Sequence, residues 1–127
     1  EKPQVQPVIS KEELMKAAKR TDEIFVDKQI KNYIVEIVMA SRQPKDHGLA
    51  RLANLLRVGG SPRASISLIR AAKAHAFLRG RGYVTAEDVR AIAYNVLRHR
   101  FILTYEAEAE SVRTDDIIKE ILGTIEV

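Results

Sequence analysis

The run Gly59-Gly60-Ser61-Pro62-Arg63-Ala64 is the arrangement in this sequence best suited to handling a phosphate. Serine is a preferred helix cap and proline a preferred first helical residue, so a helix is expected to open at Ser61-Pro62. Arg63 then falls in the first turn, at the positive end of the helix dipole, where an exposed cation is disfavoured by roughly 0.3 to 1 kcal/mol. That same helix start offers unbonded backbone N–H groups to an anion, and a guanidinium can contact phosphate oxygens in a planar, bidentate way. Arg63, supported by Ser61 and Pro62, is therefore the candidate phosphate-contacting residue. Gly59 and Gly60 just ahead of it are expected to form a flexible hinge. Taken alone, Ser-Pro-Arg is a weak motif, because any capped helix with an exposed arginine produces it.

Little else in the chain could do chemistry. No glycine is followed by Lys and then Ser or Thr as in a P-loop, and neither G-x-S-x-G nor H-E-x-x-H occurs. There is no cysteine, and the three histidines are scattered, so no thiolate site, metal site or catalytic residue is expected. His75, on an alanine-rich stretch, reads as a packed or solvated side chain rather than a ligand. His99 and Arg100 fit an interdomain or subunit contact and fit a helix C-cap equally well. Tyr83 and Val84 are expected to plug the bundle beneath a turn between two helices.

The charge is informative by region. Residues 1–48 carry nine Lys/Arg against eight Asp/Glu, residues 49–103 ten against two, and residues 104–127 two against seven, giving +1, +8 and −5. A basic middle with an acidic tail suits an anionic partner, whether phosphate, nucleic acid or an acidic protein face; it equally fits solvated arginines on the backs of helices. No apolar run is long enough to span a bilayer, and the start "EKPQVQP" lacks the parts of a secretory signal, which reads as a cytoplasmic protein with no membrane partner. Beginning at Glu1 rather than Met, the chain reads as a piece of something longer.

The elements that must position Arg63 are helical. Ser10 and Glu13 form a capping-box pattern ahead of Leu14, Ala17 and Ala18. Asp27 caps a long helix whose stripe is Ile30, Ile34, Ile37, Val38 and Ser41, widened by Tyr33 and Met39, and which ends before Pro44. "PKDHG" is expected to be a loop, and Leu49 to Leu56 a brief helical segment stopped at Gly59. The helix opened by Pro62 carries Leu68, Ile69, Ala72 and Ala76 and stops at Gly80 and Gly82. Thr85 and Asp88 make a second capping box, before Val89, Ile92, Ala93, Val96 and Leu97. "RHRFILTY" fits a helical continuation or an extended piece, and Thr114 to Leu122 is a last short helix. The expected fold is all-α, a small bundle of about five helices with at most a minor extended piece.

"GGSPRASISLIRAAKAHAFLRGRGYVTAEDVRAIAYNVLRHRFIL" resembles the C-terminal helical lid of MoxR-family AAA+ ATPases, in which a G-x-SPRA start, an A-x-x-A helix, GR-x-YVT-x-EDV and VL-x-HR follow at these spacings. "QPVISKEELMKAAKRTDEIFVDKQIKNYIVEIVMASR" resembles the segment that follows the last core elements of that ATPase module. The departures are Gly60 where Ala is usual, Gly82 where Asp is common, Ala86 where Pro is common, and Ser41 where Thr is common before Arg42. The resemblance implies a linker over residues 1–9 and a lid domain over 10–127. It places Arg63 at the sensor-2 position, turned toward the terminal phosphate of a nucleotide. ATP and Mg are implied as cofactors of the intact protein, bound mainly by an upstream core, with none expected for this chain alone. The implied partners are that core, further copies in a homo-oligomeric ring expected to be a hexamer, and von Willebrand factor A-domain proteins, in a chaperone-like role. The alternative is a helix-turn-helix-like nucleic-acid-binding domain, with the helix opened by Thr85 in the groove. Against it stand Glu87 and Asp88, two carboxylates where base-reading residues would face DNA, so nucleic acid is not the expected partner.

Overall fold

Apolar residues recur along α2 (Lys28–Arg42) so that Ile30, Tyr33, Ile34, Ile37, Val38 and Ser41 fall on one face, and all six are buried. The computed structural model describes residues 2–127, and the stripes of its longer helices close on one another around this face. The elements run α1 (Lys11–Asp22), α2, a 3₁₀ turn (Pro44–His47), α3 (Leu52–Leu55), β1 (Leu56–Val58), α4 (Pro62–Leu78), α5 (Ala86–Leu97), β2 (Ile102–Leu103), α6 (Tyr105–Ala109) and α7 (Thr114–Thr124). Residues 2–9 are exposed and form neither helix nor strand. Five of the seven described α-helices exceed ten residues, so the expected all-α bundle is what forms.

The middle of the bundle is α4, packed against α1, α2 and most extensively α5. Its buried side chains are Ala64, Leu68, Ala72 and Ala76, and three alanines in four let the neighbouring backbones come close. Ile117, Ile118 and Ile121 of α7 complete the core. Helix α1 differs: its capping box is made, with the Ser10 amide donating to Glu13 at 2.9 Å, yet none of its residues is fully buried and Leu14 and Met15 remain exposed. The stripe expected there is only partly covered, by α4.

Other local expectations are corrected. "PKDHG" is a 3₁₀ turn closed by Gly48 in the left-handed region (φ 71°), not an open loop. The helix expected over 49–56 shrinks to one turn, because Leu56 to Val58 extend and pair antiparallel with β2, Leu56 opposite Leu103 and Val58 opposite Ile102. "RHRFILTY" is therefore partly strand, and Thr104 follows it as a cap, its hydroxyl accepting from the Ala107 amide at 3.2 Å. Tyr83 does not plug the bundle; Val84 is buried, whereas Tyr83 is exposed beside Phe25 in an isolated parallel bridge.

The end of α4 is locked to the start of α5 by a buried carboxylate. Gly80 takes a left-handed turn (φ 73°), which sends Arg81 back toward Asp88. Two guanidinium nitrogens of Arg81 donate to the two Asp88 oxygens at 2.7 and 2.6 Å, the Thr85 amide donates to Asp88 at 2.7 Å, and His75 Nδ1 lies 2.7 Å from Oδ1. Burial alone would raise the Asp88 carboxyl, but Arg81, the Thr85 backbone and His75 outweigh it and hold it well below the usual carboxylate range. The sequence had offered Asp88 only as the return contact of a capping box. It is also the hub that gives His75 its packed role.

A folded-state carboxyl below its unfolded value contributes stability that is complete above the unfolded value and is lost as pH falls toward the folded one. Acid titration of the melting temperature should therefore show a loss beginning below about pH 4 that Asp88→Asn flattens. At neutral pH, Asp88→Asn should cost about 2 kcal/mol in urea unfolding. Arg81→Ala should cost more than Asp88→Asn, because it leaves the carboxylate buried without its main partner. Equal loss from the two variants would contradict this account.

Candidate functional site

The start of α4 is built as its residue types require. Ser61 is extended (φ −83°, ψ 168°) and Pro62 is the first helical residue. The Ser61 side chain makes no capping bond, so its hydroxyl leaves the first-turn N–H groups untouched, although its carbonyl accepts from the Ala64 amide at 2.8 Å. Arg63 is exposed, while Ala64 beside it is fully buried and anchors the turn to the core.

Arg63 stands apart from most other arginines of the basic middle. Arg51 pairs with Glu120 at 2.7 Å, Arg81 with Asp88 at 2.6 Å and Arg98 with Asp115 at 2.7 Å. Arg90 donates to the Tyr33 hydroxyl at 3.1 Å and lies over its ring at 5.8 Å. Arg100 donates to the Val96 carbonyl at 3.1 Å and to Ser67 Oγ at 3.0 Å, tying the end of α5 to α4. Of the two functions open for the His99-Arg100 pair, Arg100 makes the helix-end contact, and His99 is exposed. Ser67 lies one helical turn beyond Arg63, so the fold brings Arg100 toward the α4 start, a proximity that 37 residues of separation hide in the sequence. Arg63 itself belongs to none of these pairs.

Gly59 and Gly60 have a packing reason that sequence reading missed. A Cβ on Gly59 would overlap the backbone carbonyl of Ser41 and lie 2.8 Å from its hydroxyl; one on Gly60 would lie 3.3 Å from Ala64 Cβ and 3.4 Å from Val38 Cγ1. The Gly60 amide donates to Ser41 Oγ at 2.8 Å, the Ser41 hydroxyl donates to the Val38 carbonyl at 2.6 Å, and Arg42 Nη1 donates to the Gly60 carbonyl at 3.2 Å. Rather than leaving the start of α4 loose, the two glycines press it against the last turn of α2. Beside this contact lies an open groove of about 330 Å³, with Arg42, Lys45, Asp46 and Arg57 among its walls.

Among the described residues no group of three or more His, Cys, Asp or Glu could hold a metal ion, and no helix is long and apolar enough to cross a membrane. The two carboxylates weighed against groove binding part company, Glu87 facing outward and Asp88 turned fully inward.

A small helical module with an exposed arginine at the start of its central helix is the class that fold and site define. Residues 49–121 match the family described as the AAA lid domain. The chain is 35% identical over 123 residues to "Chaperone MoxR1" of Mycobacterium tuberculosis, covering 97% of this chain and 33% of that protein. It is 39% identical over 89 residues to "Protein MoxR" of Paracoccus denitrificans, covering 65% of this chain and 26% of that one. A crystal structure of a "putative ATPase" from Cytophaga hutchinsonii superposes with a TM-score of 0.90 at 40% identity, over 93% of this chain and 36% of that one. The chain belongs to the AAA lid domain family, as the lid of a MoxR-like AAA+ ATPase. The matches cover between about a quarter and about a third of the length of these relatives.

The two glycines should respond differently to a methyl group. Gly59→Ala must push against backbone and should cost about 3 kcal/mol in urea unfolding. Gly60→Ala meets only side chains at near-contact distance and restricts the unfolded chain, so it should fall within about 1 kcal/mol of neutral. If Gly59→Ala proved as mild as Gly60→Ala, close packing would not be the reason for glycine at 59.

Proposed function

We propose that in the intact protein this chain is a nucleotide-responsive lid, with Arg63 meeting the terminal phosphate of MgATP held mainly by a P-loop core, in a chaperone-like remodelling role. The observation that carries this reading is Arg63 itself: an exposed cation at a helix start, outside the ion pairs that engage Arg51, Arg81 and Arg98. A cation there opposes the helix dipole, and an anion in front of it removes the conflict by accepting from both the guanidinium and the first-turn N–H groups. This chain's residues fit only part of a nucleotide site, since they supply that helix start without a P-loop and, among the described residues, without a group that could hold a metal ion. MgATP supplies the phosphoryl group that hydrolysis releases; Arg63 stabilises charge on its oxygens while they are present.

In this reading the lid turns as one body. Gly59 and Gly60 hold α4 to α2, and the turn falls in the exposed residues 2–9, ahead of α1. Copies of the parent assemble into a ring, expected to be hexameric, in which lid orientation passes the nucleotide state to neighbouring subunits. The chaperone role extends to this chain what the name of the Mycobacterium relative says of that protein.

In the intact ATPase, Arg63→Ala should lower steady-state ATP turnover on the order of 100-fold while leaving the lid's melting temperature nearly unchanged. Arg63→Lys should recover only part of the loss, because an ammonium lacks the planar fork. Arg79→Ala, which removes an exposed cation at the opposite end of α4, is the control and should leave turnover intact; Arg90 is unsuitable because it packs on Tyr33. Turnover by Arg63→Ala equal to that of the unmodified protein would refute the phosphate contact.

A further inference from the structure

We propose that Ser41 and Arg42, the last two residues of α2, are positioning residues for Arg63; this rests on the reading of Arg63 as the phosphate contact. They hold the Gly60 backbone on both sides of its Cα, Ser41 Oγ accepting from its N–H at 2.8 Å and Arg42 Nη1 donating to its carbonyl at 3.2 Å. Ser41 is buried and its hydroxyl is fully engaged, donating to the Val38 carbonyl at 2.6 Å, so it cannot rotate away without orphaning a buried amide. Gly59 lies against the Ser41 backbone with no room for a side chain, which stops the strand-to-helix connection from shifting toward α2.

Between this clamp and Arg63 there is almost no freedom. Only Ser61 and Pro62 intervene, Ser61 extended and Pro62 with its φ fixed by its ring, and Ala64 beyond them is fully buried. The main-chain origin of the Arg63 side chain is thus determined from α2, across 19 residues of sequence, by two hydrogen bonds and one close contact. A charge contact made by a long side chain is productive only within about 0.5 Å of its geometry. Release of the Gly60 carbonyl would let the α4 start drift on that scale. Arg42 is exposed, so its contribution to the fold is small and its contribution to placing Arg63 can be read separately.

The test is a double-mutant cycle in the intact ATPase, with MgATP turnover as the readout. Arg42→Ala should lower turnover about tenfold when Arg63 is present and less than about twofold when combined with Arg63→Ala, since a positioning residue has nothing left to position. Arg42→Lys, which can still donate to the Gly60 carbonyl, should restore most of the loss. Ser41→Ala should behave as Arg42→Ala does and should also speed hydrogen exchange of the Gly60 amide; if that variant does not fold, the Arg42 arm decides alone. Arg42→Ala without effect, or with the same factor in both backgrounds, would overturn the positioning role while leaving the Arg63 contact standing. Arg63→Ala without effect would overturn the phosphate contact and this inference with it.

Discussion

A single residue, Gly60, is where the last turn of α2 and the start of α4 are joined, and the placement of the central helix follows from it. Its amide and its carbonyl are both engaged by α2, and the glycine ahead of it lies so close to the Ser41 backbone that a Cβ would overlap it. With that end set, the alanine stripe of α4 lies against α2 and α5 at close range, and the isoleucines of α7 fill the remaining volume. The opposite end of α4 is set by different chemistry, the ion-paired carboxylate of Asp88 below the Gly80 turn. One central helix is thus fixed at both ends by buried polar contacts and along its length by small side chains.

This arrangement divides the cations of the basic middle segment between paired and outward-facing positions. Several of its arginines neutralise acidic residues from the same chain, including Glu120 and Asp115 of the acidic tail, so charges opposed by region in sequence meet in space. Arg90 and Arg100 serve packing and helix-end contacts. What remains outward at the start of α4 is a cation in an electrostatically unfavourable place, and a fold that stays intact with such a residue leaves it available to an anion.

The exposed flank of α1 belongs to the same picture. A helix of 12 residues that buries no side chain completely has little tertiary packing of its own, and Leu14 and Met15 stay in water alongside residues 2–9. The described body is well closed everywhere that α2, α4, α5 and α7 meet, and open on the side where the chain enters it.

Local rules were enough to read much of this molecule from its residues. Capping boxes at Ser10/Glu13 and Thr85/Asp88, proline at 62, the stop before Pro44 and the apolar stripes of α2, α4, α5 and α7 depend on neighbours within four positions, and they mark helices wherever they occur. For the same reason the helix start that carries Arg63 was legible. Contacts between distant positions were not. Whether Leu56 to Val58 continue a helix or extend depends on the partner strand at 102–103, and whether Gly59 and Gly60 flex or pack depends on Ser41. Tyr83 and Val84 are alike in hydrophobic pattern, and only the bridge to Phe25 decides which of them turns inward. Asp88 looked like an ordinary capping residue until the left-handed turn at Gly80 brought Arg81 and His75 around it. The sequence by itself determined the five longer helices and where each begins, since hydrogen bonds along a helix are short-range; tertiary structure alone decided the short elements between them and which polar groups are buried together, because strand pairing, desolvation and ion pairing act through space.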